Sequence, residues 1–198
     1  MSNPIVFQCS HRAQGNSNNA MNLFLEGVRE AGGEADTVLL RKVEIKPCRA
    51  CRVCEKDPAS PCALQGKDYA LDLFENMLNA PFVFFAAPIY FYHLPSRLKT
   101  FIDRSQWVYA RKMKNDPEVA ERPVRPAYMT LFAGRSEGDK LFEGARLTMK
   151  YFLQSFNLEL QDPMEFRGFE KIADMERHPE AAERIRALGK QAWQTHAG

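Results

Sequence analysis

The sequence has little net charge: 27 Lys and Arg against 25 Asp and Glu leave a formal +2 over 198 residues. Such a balance argues against a general nucleic-acid-binding surface. Long hydrophobic runs are also lacking. The longest is Phe82 to Tyr92, eleven residues interrupted by Pro88, where a bilayer span needs about twenty. The opening MSNPIVFQCSHR does not have the basic-then-apolar order of a secretory signal. The expectation is a soluble, cytoplasmic chain without a membrane or nucleic-acid partner. No G-x-G-x-x-G fingerprint, no Gly-Lys-Ser/Thr phosphate loop, no Ser-His-Asp order and no helical pair of histidines is found. Those absences set aside the commonest nucleotide-binding and hydrolytic signatures. Five cysteines are an odd number, and four crowd into fifteen residues, a distribution that suits metal or redox chemistry better than a disulfide framework.

What is present alternates. Ile5–Ser10, Asp36–Val43, Phe82–Ala87, Tyr128–Ala133 and Leu158–Gln161 read as strands. Between and after them, apolar residues at helical spacing predict helices from about Ala20 to Ala31, from Asp68 to Leu78, from Pro95 to Ile102, from Leu141 to Phe156 and from Pro179 to Thr195. Phe82–Ala87 is apolar throughout, as in strands covered on both faces. The expectation is therefore one α/β domain over 1–198, a doubly wound sheet of five parallel strands with helices on both sides. A cysteine-rich loop at 46–66 and a charged excursion at about 107–125 interrupt it. In such a sheet a ligand sits at the carboxyl ends of the strands, near the switch point between the first and third. The loops after Ser10, Ala87 and Ala133 are then the informative ones.

The first loop, Ser10 to Asn19, joins a strand to a helix start. Free N–H groups there, with Ser10, Ser17, the Asn side chains, Gly15 and the charge of Arg12, suit a phosphate. A polar turn with ordinary helix caps has the same composition. The second loop offers Pro88, Ile89, Tyr90, Phe91 and Tyr92, a flat wall and irregular backbone for a planar heteroaromatic ring; plain packing or a dimer contact is the alternative. The third, Ala133 to Gly138, brings small residues where a ring edge could approach the backbone. The cysteines form C-x2-C-x2-C-x7-C at Cys48, Cys51, Cys54 and Cys62. Three even steps and a longer return fit an iron–sulfur cluster better than zinc, whose ligands usually come as two separated pairs. Free or reversibly paired thiols remain the plain alternative. Cys9, inside the first strand, reads as a small buried hydrophobe. Asp103-Arg104 reads as a structural ion pair or an oligomer contact, Lys99 as surface, His93 as an ordinary loop histidine, and Trp107 and Tyr109 as an interface or a cap over the ring.

With these residues in hand, the chain resembles the flavodoxin-fold NAD(P)H-dependent FMN reductases and, more narrowly, the iron–sulfur flavoproteins. The resemblance rests on S-x-R-x-x-G-N-S at Ser10–Ser17, the compact cysteines at 48–62, P-I-Y-F at Pro88–Phe91 and P-S-x-L-K-x-F-I-D-R at Pro95–Arg104. It spans most of residues 5–105; the C-terminal half matches in pattern only. It implies a flavodoxin-like three-layer sandwich with strand order 2-1-3-4-5 and bound FMN. Phosphate contacts would come from Ser10, Arg12, Asn16, Ser17 and Asn18, and ring contacts from Pro88, Ile89, Tyr90 and Phe91, with Gly134 of the third loop close by. It further implies a [4Fe-4S] cluster on Cys48, Cys51, Cys54 and Cys62 near the flavin. Electron donors and acceptors would be small molecules, NAD(P)H among them, or a ferredoxin-like protein. The assembly would be a homodimer or homotetramer, with the flavin of one subunit approaching a neighbouring chain. The function expected is an FMN-binding oxidoreductase; the alternatives are an NAD(P)H-dependent FMN or quinone reductase without a cluster, and a non-enzymatic redox carrier or sensor.

Overall fold

The computed structural model describes residues 2–56 and 61–197, so part of the cysteine-rich loop, residues 57–60, lies outside the described residues. Strand β1 (Ile5–Gln8) occupies the centre of the sheet, with β2 (Asp36–Leu39) on one side and β3 (Val83–Pro88) on the other. Next to β3 lies β4 (Arg125–Ala133), and β5 (Leu158–Leu160) closes that side, giving the order β2-β1-β3-β4-β5 with every pairing parallel. A sixth short strand, β6 (Met164–Arg167), also pairs parallel to β4, further along it than β5. The predicted fifth strand is thus an edge strand in two pieces. Gln161 still donates to the Ala127 carbonyl at 2.9 Å. Pro163 then has no N–H to continue the ladder.

Alternation along the strands divides the core into two layers. Phe7, Val83, Phe85, Met129 and Leu131 face helices α3 (Ala70–Asn79), α4 (Ser96–Arg104) and α7 (Glu143–Gln154). Val6, Phe82, Phe84 and Phe132 face α1 (Asn16–Glu30) and α9 (Pro179–His196). Stacked rings bridge strands and helices, with Phe7 on Phe85 at 4.6 Å and Phe24 on Phe84 at 4.0 Å between centroids. Helices therefore cover both faces, as the unbroken apolar character of β3 requires. No helix among the described residues is long and apolar enough to cross a membrane.

The structure departs from the sequence reading elsewhere as well. The second strand was expected to run to Val43. It stops at Leu39, and Leu40–Lys42 make a 3-10 turn that buries Leu40 and swings Arg41 back over the sheet end. The charged stretch at 107–125 is not one irregular loop. It contains α5 (Gln106–Met113) and the single turn α6 (Pro117–Ala120), and an α2 turn (Val53–Lys56) lies in the cysteine loop. A final short turn, α8 (Asp174–Arg177), precedes α9. Arg111 explains why α5 packs: it is buried, with Nε 2.7 Å from Asp116 and Nη1 3.3 Å from Glu75. A charge paired in this way can be covered.

Candidate functional site

The loops after β1, β3 and β4 converge on one cleft of about 370 Å³ at the carboxyl ends of the strands. Its lining includes Ser10, Arg12, Asn16 and Ser17 from the first loop, Pro88, Ile89 and Tyr90 from the second, and Gly134 from the third. The first loop is shaped by few interactions. The Arg12 N–H donates to Ser10 Oγ at 3.1 Å, and Gln8 Nε2 donates to the Arg12 carbonyl at 3.2 Å. Arg41 in turn donates to Gln8 Oε1 at 2.9 Å. Gly15, at φ +146°, stands just before α1 in a conformation that L side chains rarely adopt. There it lets the loop turn into the helix. Asn16 and Ser17 are both buried, and Asn16 Oδ1 has no hydrogen-bond partner among the described residues. A buried acceptor of this kind costs stability unless a donor reaches it. A ligand hydroxyl or amide in the cleft would supply one.

Two residues of the sequence-level site lie off the cleft lining. Asn18 spends its backbone N–H on the Gly15 carbonyl at 2.9 Å. Phe91 is fully exposed. It sits with Tyr92 at the tip of a tight turn, φ +50° and +62°, which the reciprocal backbone bonds of Tyr90 and His93 close at 2.9 and 3.0 Å. That turn projects Phe91 outward and leaves Tyr90 on the cleft, its ring 6.1 Å from that of His11. Phe132, Arg135, Phe169 and Glu170 complete the lining and were not singled out from sequence; the last two lie beyond the sixth strand, which no motif announces. His93 is bonded to Thr148 Oγ1 at 3.1 Å, an ordinary structural contact.

All four clustered cysteines line a second cavity of about 480 Å³. Its opposite wall belongs to α4 and α5, through Thr100, Asp103, Arg104, Gln106 and Trp107. Positive φ at Ala50 (+50°) and Arg52 (+58°) coils the chain between Cys48 and Cys54, so residues three apart reach the same space. Cys48 and Cys51 are exposed; Cys54 and Cys62 are half-buried. Burial is the main influence raising the Cys54 thiol above its ordinary value, and Cys62, Cys48 and Cys51 add to it. Among the described residues, no three His, Cys, Asp or Glu side chains converge closely enough for a single metal ion. Cys9 is separate, buried in the core, and burial pushes its thiol far up, which makes it inert.

Arg104 bears on this cavity. It is buried, pairs with the equally buried Asp68, donates to the Lys46 carbonyl at 3.0 Å, and places Nη2 3.7 Å from Cys62 Sγ. The ion pair expected of Asp103-Arg104 therefore involves Arg104 with Asp68, while Asp103 pairs on the surface with Lys99. Trp107 packs at the cysteine cavity, under the Arg111 guanidinium at 4.7 Å, and does not cap the ring cleft. Its buried Nε1 has no partner among the described residues.

An open parallel sheet of order 2-1-3-4-5, with a cleft at its switch point, defines a flavodoxin-like protein. The chain belongs to the NADPH-dependent FMN reductase family, whose sequence profile matches residues 4–161. Among characterised relatives, the iron-sulfur flavoprotein of Methanosarcina thermophila is 36% identical over 81 residues, 41% of this chain and 40% of that one. That of Archaeoglobus fulgidus is 33% identical over 97 residues, 46% of each. The chain thus spans less than half the length of the relatives it matches. The NAD(P)H:quinone oxidoreductase of Methanothermobacter marburgensis shares the fold, with a TM-score of 0.73 at 17% identity over 96% of both chains.

Proposed function

We propose that this chain is an FMN-dependent oxidoreductase that takes electrons from NAD(P)H or a protein donor and passes them to a small-molecule or protein acceptor. The observation that carries the reading is the cleft itself. A helix start with a glycine turn, a buried orphan acceptor on Asn16 and the Tyr90 ring line one cleft, and they suit a phosphate, a hydroxylated chain and a flat ring respectively. A cleft of about 370 Å³ is within the range of cofactor sites. Ser10, Arg12, Ser17 and the first N–H groups of α1 would hold the phosphate. Asn16 would accept from a ribityl hydroxyl, and Pro88, Ile89, Tyr90 and Gly134 would bound the isoalloxazine ring. When bound, FMN supplies the one- and two-electron chemistry; the protein orients it and shields one face. No side chain need act as a nucleophile or a general base.

The cysteine cavity supports the narrower reading, an iron–sulfur flavoprotein. Cys48, Cys51, Cys54 and Cys62 line one cavity, and four thiols on one cavity are the donor set that an iron–sulfur cluster takes. The orphan N–H of Trp107 at the same cavity fits a site rich in sulfur acceptors. A cytoplasmic homodimer or homotetramer completes the proposal.

Protein purified anaerobically and incubated with FMN is expected to show the two visible flavin bands, to bleach on addition of NAD(P)H or dithionite, and to contain iron and acid-labile sulfide. Failure to retain FMN would end the oxidoreductase reading. Retained FMN without iron or sulfide would leave the simple reductase.

A further inference from the structure

The buried Arg104 has no place in the flavin cleft, yet it joins three parts of the cysteine segment. Lys46 and Asp68 flank that segment on either side and Cys62 is its last cysteine; one guanidinium from α4 touches all three. Asp68 is fixed independently, accepting from the Lys46 N–H at 2.9 Å and the Ala70 N–H at 3.1 Å. Its position leaves the guanidinium little freedom, so Nη2 stays directed at the Cys62 sulfur. A planar fork of donors can serve several acceptors at fixed angles, which an ammonium group cannot do. A neutral surface contact would need none of this. Burying a cation and a carboxylate together is costly and gains little stability over an apolar pair.

We propose that Arg104 is a positioning residue for the cysteine site: it fixes the Cys62 sulfur by an Nη2–H···Sγ hydrogen bond and, together with Asp68, sets the reduction potential of the iron–sulfur cluster held there. The inference rests on the cluster reading above. Reduction adds one electron to the cluster and raises the negative charge on its sulfurs. Hydrogen-bond donors and positive charge at a sulfur therefore favour the reduced form and raise the potential. Asp68 opposes that effect by compensating the guanidinium. Removing the donor and removing its counter-charge must then move the potential in opposite directions, a signature that a purely structural clasp does not produce.

The test uses anaerobically reconstituted full-length protein with FMN and cluster, titrated electrochemically while the cluster is followed by electron paramagnetic resonance. Arg104→Lys keeps a cation for Asp68 but gives up the forked donor. It is expected to retain FMN and to change the one-electron equilibrium at least tenfold toward the oxidised cluster, a potential lower by about 59 mV. Asp68→Asn is expected to shift the potential upward. An unchanged potential in Arg104→Lys, or shifts of the same sign in both variants, overturns the proposal. If Arg104→Lys does not fold, Asp68→Asn decides alone: a potential at or below that of wild type overturns it. Wild-type protein that takes up no iron or sulfide removes the cluster reading and this inference together. A loaded wild type with unshifted variants removes this inference only.

Discussion

Asp68 shows how much one side chain can carry. Burial pushes its carboxyl toward protonation, yet the Arg104 guanidinium and the N–H groups of Lys46 and Ala70 hold it below the usual carboxylate range. A carboxyl lowered in the folded state stabilises the fold above its unfolded value of about 3.9, and that contribution disappears as the pH falls through the folded value. Asp68→Asn is therefore expected to cost about 3–5 kcal/mol at pH 7, since it leaves a buried guanidinium unpaired. The gap to wild type should narrow steadily below about pH 4. Urea unfolding of both proteins at pH 7 and pH 3 measures it, and an equal gap at the two values would refute the charge argument. The turn at Phe91 and Tyr92 gives a second case. Bulky residues at positive φ cost about 1–2 kcal/mol each, and Asn tolerates that region. Phe91→Asn should raise the melting temperature and leave FMN affinity within twofold. Tyr90→Ala should weaken FMN by roughly threefold to tenfold, from the ~0.5–1.5 kcal/mol of one aromatic contact. Both are read by melting curves and flavin fluorescence titration. Phe91 and Tyr90 are equivalent in sequence terms. Only the hand of the turn separates them, and an aromatic pair, unlike Asn-Gly, does not announce that turn.

Among the elements, helices α1 and α9 approach each other closely. A Cβ on Gly189 would lie 2.1 Å from the Phe24 carbonyl oxygen, and one on Gly27 would lie 1.9 Å from that of Arg186. The two backbones touch through paired glycines, and no rearrangement of a side chain can make room. Gly189→Ala is expected to push the helices apart and to destabilise the fold by about 1–3 kcal/mol, the usual penalty of overpacking, seen as a lower melting temperature. FMN affinity should hardly change, because Phe24, which Gly189 abuts, lies eight residues after Asn16, about 12 Å along the axis from the cleft. The helices themselves were legible: α1, α3, α4, α7 and α9 show apolar spacing in sequence, and Pro95 and Pro179 mark two starts. The end of β2 and the helix α5 were not. Arg111 reads as solvent-exposed from local composition, and its burial depends on Glu75, Asp116 and Glu118, one of them from a distant helix. Leu40 likewise leaves the strand to reach a core that only the tertiary fold provides.

At the scale of the molecule, the strand order placed the cleft before any contact was known. Once β1 and β3 are neighbours with helices on opposite faces, the loops after them must meet at their carboxyl ends. The cysteine cavity was legible only as four clustered cysteines; that α4 and α5 wall it through Arg104 and Trp107 depends on packing that spacing does not encode. The helix α4 connects the two places. It starts at Ser96, just past the loop after β3, and first lines the cysteine cavity at Thr100, about 6 Å along its axis. The cleft and the cavity have no lining residue in common. Binding at each should therefore be separable. Cys51→Ser is expected to lower bound iron and sulfide well below wild type while FMN stays near one per chain, because Cys51 lines the cysteine cavity and not the cleft. Gly15→Ala should do the reverse. An L residue at φ +146° is strained by about 1–3 kcal/mol. That strain falls on the conformation proposed to cradle the phosphate, and FMN is expected to weaken by roughly tenfold for each 1.4 kcal/mol. Iron should remain. Metal, sulfide and flavin counted on the same anaerobic samples decide between this and a coupled site, in which either substitution would empty both.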